Sequence, residues 1–180
     1  MTIEEYLDLK RRVIQAGYES EVEWAAGLQP CDNALAYYQE YAWVVINSGM
    51  RAQVAQLIWG RINEARRAGR TATSAFGHKY KAWAIDRMWE LRDEEFALYQ
   101  AAPDKLAHLQ ALPWIGPITK YHLARNLGLD ACKPDRHLVR IARGYDETPE
   151  EMCARLSGWT GERIGAVDCV IWRAANLGFV

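Results

Sequence analysis

The stretch from Leu109 to Gly144 reads LQALPWIGPITKYHLARNLGLDACKPDRHLVRIARG, and it contains the clearest indications of fold and function in the chain. A short apolar segment precedes a tight LPWIG turn, and a helical pattern then runs from Pro117 to Leu127, before Gly128. Proline is well tolerated at the first helical position, and glycine commonly ends a helix. The sequence therefore predicts two short helices joined by a turn, a helical hairpin.

A hairpin of this kind can bind a phosphate through its backbone. The N-terminus of a helix has N–H groups without intrahelical acceptors and the positive end of the helix dipole, and both favour an anion. The turn at Gly116 would expose consecutive amides at the start of the second helix. Such a clamp has no sequence preference, and ordinary helical hairpins also use Leu-Pro and Gly turns.

A carboxylate follows the hairpin about twenty residues later, in Lys133-Pro134-Asp135-Arg136-His137. Asp135 lies directly after a proline and at the start of a predicted helix, where aspartate is commonly an N-cap. An acid so placed beside a hairpin that holds one DNA strand can also contact the sugar of a nucleotide turned out of the duplex. On the residues alone, Asp135 is either a helix cap or a catalytic acid.

The rest of the chain has a helical apolar period almost throughout, with well-marked helix starts. Capping boxes or single capping residues are expected at Thr2, Ser20, Asp32 and Thr148. The segment from His78 to Tyr99 predicts two helices that are broken near Arg92, and the last helix is expected to begin near Thr160. No alternating pattern indicates a strand and no repeat is visible, so the predicted fold class is all-α.

Composition limits the class of protein without identifying it. The 180 residues are half apolar, which is enough for one compact domain or two small lobes. The net charge of −1 gives no overall attraction to nucleic acid, so DNA binding would depend on a local basic patch. The N-terminus is polar where a signal peptide is apolar, and no segment approaches the roughly 18 apolar residues of a membrane span. We expect a soluble cytoplasmic protein without membrane contact.

Cysteines and aromatic residues give weaker indications. Cys31, Cys132, Cys153 and Cys169 lie far apart, without the close pairs typical of zinc or iron–sulfur sites, so we expect buried thiols and no metal. Eight tryptophans and nine tyrosines suit base stacking, but aromatic residues in a small helical protein are mostly part of the core.

The two motifs together resemble the helix-hairpin-helix superfamily of base-excision DNA glycosylases, which includes endonuclease III and the adenine-mismatch, 8-oxoguanine and alkyladenine glycosylases. The family's hairpin is similar to Leu-Pro-Gly-Val-Gly, and Leu112 to Gly116 here read LPWIG. Its catalytic segment is similar to Val-Asp-x-His-hydrophobic-x-Arg-hydrophobic-x-x-Arg, and Pro134 to Arg143 read PDRHLVRIAR. The number of residues between Gly116 and Asp135 also matches the family's spacing within about one residue. Clear similarity covers about a fifth of the chain.

The resemblance implies an all-α, two-lobed fold with a DNA cleft between the lobes. Residues 33–129 would form a central lobe with the hairpin at about 104–128, and residues 1–32 together with 130–180 would form the second lobe. Asp135 would be the catalytic carboxylate, kept ionised by its helix N-terminus and stabilising the positive charge that develops on the sugar. His137 and Arg140 would support this segment, His137 as a brace. Because one helix cannot aim every side chain at DNA, only some of the arginines 136, 140 and 143 are expected to face it.

The resemblance also implies which other residues contact DNA. The expected DNA-binding residues are Met50, Arg51, Trp114, Ile115, Gly116, Lys120, Arg136 and Arg143. The expected base-pocket residues are Asn47, Ile118, Tyr121 and His122. The segment from Tyr41 to Ile62 would supply the helix-turn-helix that fills the space left by the extruded base.

Departures from the family pattern change the expected chemistry. Trp114 replaces the first hairpin glycine, so the turn is not expected to rely on a positive φ there. Ile118 occupies the position of the nucleophilic lysine in members with lyase activity, and an alkyl side chain cannot form a Schiff base. The sequence therefore predicts a monofunctional enzyme in which water is the nucleophile. Lys120 would face about 200° away from Ile118, although a shift of one or two residues in the alignment would make it the candidate nucleophile.

The family's iron–sulfur cluster is not expected, because no four-cysteine cluster follows Asp135. No cofactor is implied, apart from a possible monovalent cation at the hairpin backbone. The expected partner is DNA with an extruded base, and the protein is expected to be a monomer. Asp168 lies on the apolar face of the last helix and should be buried and paired with an arginine.

Two other classes of protein stay open on the sequence. A non-catalytic module could hold DNA through the hairpin, with Asp135 only a cap. An unrelated helical scaffold could contain LPWIG as an ordinary turn, and the acidic pI of about 6.4 favours this interpretation. The excised base is also open among oxidised, alkylated, deaminated and mismatched bases, as is a specialised role such as the removal of a modified base from phage DNA.

Overall fold

The computed structural model describes residues 1–180 and is all-α, without β-strands. The helices are α1 (Ile3–Val13), α2 (Glu19–Gly27), α3 (Ala34–Asn47), α4 (Ala52–Arg67), α5 (Lys79–Ala101), α6 (Lys105–Ala111), α7 (Thr119–Asn126), α8 (Arg136–Arg143), α9 (Pro149–Thr160) and α10 (Ile164–Asn176). A π-helical turn kinked at Gly17 joins α1 to α2, and a short 3₁₀ turn, Ala72–Ser74, precedes α5. None of the helices combines the length and the apolar character needed to span a membrane.

The chain divides into two compact units. The terminal unit consists of Met1–Pro30 and Ala124–Val180, and the central unit consists of Cys31–Leu123. The division falls within α7, so the hairpin turn belongs to the central unit and Asp135 belongs to the terminal unit.

The core of the terminal unit forms around α10. This helix is buried along most of its length and packs against α1, α2, α8 and α9. Apolar side chains from both ends of the sequence meet there, including Tyr6, Leu138, Leu156 and Ile171, which are all fully buried. Burial of this apolar surface is the main force that brings the two ends of the chain together.

The core of the central unit forms around α3, which packs against α4 and α5. Tyr37, Tyr41, Ile46 and Ile85 are fully buried there. The Tyr41 hydroxyl donates to the carbonyl of Pro113 at 2.9 Å. This hydrogen bond fixes the start of the hairpin turn to the middle of α3.

Local capping signals gave mixed results. The capping boxes at Thr2 and Thr148 are confirmed, since each pairs with the glutamate three residues later. The prediction at Ser20 is wrong, because this residue lies inside α2. The prediction at Asp32 is wrong by one residue: Asn33 is the cap and accepts from the Ala36 amide.

Two predicted helix boundaries are also wrong. α5 is a single helix, and nothing breaks it at Arg92, because Lys79–Ala101 contains neither Gly nor Pro. The last helix begins at Ile164 because α9 continues to Thr160. Gly128 does follow the end of α7, with φ of +83°, and a Cβ there would lie 2.1 Å from the carbonyl oxygen of Gln29. Only glycine fits this position.

Candidate nucleic-acid interface

Asp135 is the N-cap of α8. Its Oδ1 accepts from the amides of His137 at 2.9 Å and Leu138 at 3.2 Å. Its Oδ2 makes no hydrogen bond, and the Lys133 ammonium lies 4.0 Å away. The carboxylate is 14% exposed. One oxygen therefore holds the helix start, and the other stays available at a partly buried position beside a cation.

A buried ion pair between Asp168 and Arg125 lies next to this turn. Asp168 on α10 is 1% exposed and accepts from the backbone amide of Lys133 at 2.8 Å and from Arg125 at 3.5 Å. Burial raises the pKa of Asp168 to about 6, against the opposing effects of Arg125 and of the Lys133 amide. The predicted burial of Asp168 with an arginine partner is confirmed. Asp168 thus fixes the backbone two residues before Asp135.

The contact between Lys133 and Asp135 was not predicted from the sequence. Burial lowers the pKa of the Lys133 ammonium and Arg125 acts in the same direction, whereas Asp135 raises it. The sequence contains a signal for this contact, since the side chains of Lys133 and Asp135 flank a proline that holds the chain extended.

The exposed face of α8 is basic. Arg136, Arg140 and Arg143 are all exposed, at spacings of four and three residues, whereas Leu138 and Ile141 are buried. These spacings return to one side of a helix. Which of the three arginines face DNA stays a prediction. Arg140 also donates to the carbonyl of Val180 at 3.0 Å.

His137 lies beside this basic face. Its side chain is half-buried, and Nε2 lies 3.4 Å from the Arg136 Nε. Its contact with Asp135 is made by its backbone amide. The His137 amide is thus part of the cap of α8, and a bracing role for the His137 side chain stays a prediction.

The hairpin turn contains a strained tryptophan. Trp114 has φ of +66°, so the expectation that its side chain would prevent a positive φ is wrong. The left-handed region costs a non-glycine residue about 1–2 kcal/mol. Two neighbours contact the ring: His78 packs edge-on with centroids 5.2 Å apart, and the Lys81 Nζ lies 5.8 Å from the ring centre. These contacts offset part of the strain, and the ring stays 45% exposed.

Two amides of the turn already have acceptors. The Ile115 amide donates to the Leu112 carbonyl at 3.1 Å, and the Gly116 amide donates to the Thr119 hydroxyl at 2.7 Å. The Ile115 side chain is buried. A phosphate that binds the Gly116 amide must therefore share or displace the Thr119 hydroxyl, a contact that sequence reasoning missed.

Three of the residues expected to face a base lie just before α7 and in its first turn, and they differ in exposure. Ile118 is 41% exposed, and Tyr121 and His122 are half-buried. Arg125 lies on the same helix face by spacing, but its side chain is committed to Asp168. Lys120 bonds the Gln110 side-chain oxygen at 2.7 Å and lies over the Tyr121 ring.

The turn between α3 and α4 lies close to the hairpin within the central unit. Asn47 is half-buried, and its carbonyl accepts from the Met50 amide at 3.1 Å. Arg51 is exposed and precedes α4. Lys81 connects the two regions, since its Nζ donates to the Ser48 carbonyl at 2.7 Å and also lies near Trp114.

Lys81 itself could not be recognised from the sequence. It is 6% exposed, and burial lowers the pKa of its ammonium. Its spacing on α5 is that of a buried position, but the pattern does not reveal a carbonyl acceptor 33 residues away.

The cysteines are less scattered than predicted. Cys132, Cys153 and Cys169 are buried and Cys31 is half-buried, but the sulfurs of Cys132 and Cys153 lie only 3.6 Å apart. No three His, Cys, Asp or Glu side chains are grouped so that they could hold a metal ion.

Comparison with known proteins returned no match to any family model, any curated protein or any solved structure.

Proposed function

We propose that the chain is a DNA N-glycosylase in which Asp135 is the catalytic carboxylate. The observation that carries the proposal is that the two carboxylate oxygens of Asp135 have different partners. Oδ1 is committed to the start of α8, and Oδ2 makes no hydrogen bond and faces the Lys133 ammonium at 4.0 Å. The second oxygen therefore keeps its negative charge at a half-buried position where it has no hydrogen-bond donor, which supports a role beyond the cap.

The chemical step uses the fixed negative charge of Asp135. As the bond between C1′ of the sugar and the base nitrogen breaks, its electron pair leaves with the base and positive charge develops on the sugar. A preorganised anion at this point lowers the barrier, because the charge needs no reorganisation during the reaction. Water then adds to C1′ and gives up a proton to Asp135, which leaves an abasic sugar.

Two elements, one in each unit, would hold the phosphates. The face of α8 formed by Arg136, Arg140 and Arg143 supplies charge next to Asp135 in sequence and on the same helix. The hairpin turn supplies the Gly116 amide, once a phosphate replaces the Thr119 hydroxyl as its acceptor. Backbone and arginine contacts of this kind position a strand without reading its sequence.

The nucleophile proposed is water rather than an amine. Ile118 offers no amine, and Lys120 is bound to Gln110 and packed on Tyr121. The product is therefore an intact strand with an abasic site. The base itself could be oxidised, alkylated, deaminated or mismatched, or a modified base of phage DNA, and the role could be repair or defence.

A second candidate is a helix-hairpin-helix DNA-binding module without chemistry. It is favoured by one observation, that Asp135 is a well-formed N-cap with two amide donors. On this view the loss of the side chain would cost about 1 kcal/mol of stability and no activity.

The test is base release from single-stranded and duplex oligonucleotides that each contain one damaged or modified base. Intact protein and Asp135→Asn are compared, and products are followed with and without alkali. The proposal expects release that requires Asp135, with strand breaks only after alkali. DNA binding without release from any member of the panel would support the binding module instead. Strand breaks without alkali would contradict water as the nucleophile.

A further inference from the structure

Two large aromatic side chains are exposed together on the first turns of α5. Tyr80 is 77% exposed and Trp83 is 60% exposed. They lie three residues apart, which places them on the same helix face. Neither ring packs against another aromatic ring or a cation. Scattered exposed apolar residues are ordinary, but an adjacent pair of free rings is a surface that can stack on a flat ligand.

The same part of the chain is basic, although the protein as a whole has a net charge of −1. Residues 65–85 contain five Lys and Arg residues and no Asp or Glu. Arg66 is paired with Asp86, and Lys81 is buried. Arg67, Arg70 and Lys79 are exposed and form no ion pair. These three residues form a local positive patch of the kind on which DNA binding would depend.

Asp86 attaches the connection between α4 and α5 to the first turns of α5. Its carboxylate accepts from Arg66 at 2.7 Å and from the amides of Ala72 at 2.6 Å and Thr73 at 3.0 Å. These bonds fix the segment between α4 and α5 against α5 itself. Asp86 lies one helical turn after Trp83, so the connection in which Arg70 lies is attached to α5 one turn away from Trp83.

The surface also begins next to the hairpin. His78 is the N-cap of α5, and its ring packs against Trp114. Tyr80 follows two residues later. A strand held at the hairpin turn could thus continue over the start of α5 within the same unit.

We infer that Arg67, Arg70, Lys79, Tyr80 and Trp83, the α5 stacking surface, bind an unpaired stretch of DNA by stacking of bases on the two rings. The identity of the nucleic acid rests on the proposed function. Paired bases are stacked within the duplex, so only an unpaired strand can place its bases on protein rings, and the three cations then neutralise its phosphates. A protein partner is the alternative outcome of the test, because tyrosine, tryptophan and arginine are also enriched at protein interfaces. The preferred substrate is therefore single-stranded DNA or a duplex with an unpaired segment.

The test measures the binding of fluorescent 20-nucleotide single strands and duplexes to the full chain by anisotropy, in the Asp135→Asn background. The double variant Tyr80→Ala/Trp83→Ala should weaken single-strand binding about tenfold or more and duplex binding less than about twofold. The matched control is Trp24→Ala, which removes a tryptophan that is similarly exposed but lies on α2. Far-UV circular dichroism and thermal melting check that each variant folds.

A second variant tests the charges. The change Arg67→Ala/Arg70→Ala/Lys79→Ala should reduce the slope of log K against log salt for single strands by about two, since each lost phosphate contact contributes about 0.7. Equal single-strand binding by Tyr80→Ala/Trp83→Ala and Trp24→Ala would overturn the inference. So would an unchanged salt slope, which would instead fit a surface for a protein partner.

Failure of this inference can be distinguished from failure of the proposed function. Base release is measured with Asp135 restored and enzyme in excess, and single-strand affinity is measured separately on Tyr80→Ala/Trp83→Ala in the Asp135→Asn background. Asp135→Asn should bind single strands normally and release no base. Normal stacking without any base release would leave the surface intact and reject the glycosylase, whereas base release with unaltered single-strand affinity would reject the surface alone.

Discussion

The turn at Asp135 and the hairpin turn at Trp114 both lead into a helix, but different interactions stabilise them. Each turn precedes a helix and contains a proline. At Asp135 a side chain supplies the cap, and the backbone before it is anchored by Asp168. At the hairpin the backbone itself is strained, with φ of +66° at Trp114, and contacts from His78, Lys81 and Tyr41 hold it in place.

The difference shows which turn conformations can be predicted from neighbouring residues alone. The Asp135 turn depends on a capping preference that is encoded within four residues, so its conformation follows from the sequence. The Trp114 turn depends on contacts from α3 and α5, which overcome the preference of a bulky residue for negative φ. Strain at an exposed residue persists only where the surroundings determine it.

The largest effect is expected at the anchor of the Asp135 turn. Arg125→Met would leave Asp168 buried without its cation, so the free energy of unfolding should fall by about 3 kcal/mol. The matched control is Arg87→Met, which breaks the exposed pair with Glu90 and should cost less than about 0.5 kcal/mol. Urea unfolding measures both changes. Equal small losses would mean that Asp168 does not anchor the turn.

The same anchor should make stability depend on pH. Burial raises the pKa of Asp168 to about 6 from 3.8. Between these values the folded state retains a proton that the unfolded state has released, so this group's contribution to stability is greatest below about pH 4 and is lost as pH rises through about 6. Urea unfolding from pH 4 to 7 should show this decline, and Asp168→Asn should lack it. Parallel curves for the two proteins would contradict the raised pKa.

A smaller effect is expected at the hairpin. Trp114→Gly relieves the positive φ, and Trp114→Ala keeps it, while both remove the ring contacts with His78 and Lys81. The glycine variant should therefore be more stable than the alanine variant by about 1 kcal/mol. Thermal and urea unfolding of the pair isolates the strain. Equal stability would show that the turn relaxes when the ring is lost.

Local signals predicted much of the helical architecture. The capping boxes at Thr2 and Thr148, the end of α3 at Asn47 and the glycine after α7 all follow from residues within one turn of the boundary. The break near Arg92 was wrong because a polar pair was interpreted as a boundary although no helix breaker was present.

The candidate site was predictable only in part. The position of Asp135 at a helix start and the burial of Asp168 followed from sequence patterns. The Lys81 bond to Ser48, the Thr119 hydroxyl on the Gly116 amide and the clustering of Asp86 with the α4–α5 connection did not. Such contacts depend on which polar groups the fold brings together. The periodicity of apolar residues predicts which side chains are buried, but it does not predict their hydrogen-bond partners.

The central claim is that Asp135 performs two tasks with its two oxygens, and one paired measurement tests it. Asparagine retains the capping oxygen and loses the charge, whereas alanine loses both. Base release under single-turnover conditions and the free energy of unfolding are measured for the unsubstituted protein, Asp135→Asn and Asp135→Ala. The account predicts that Asn slows release by at least about a hundredfold and changes stability by less than about 0.5 kcal/mol, while Ala slows release similarly and costs about 1 kcal/mol. Release by Asp135→Asn at the rate of the unsubstituted protein would contradict it and leave Asp135 as a helix cap alone.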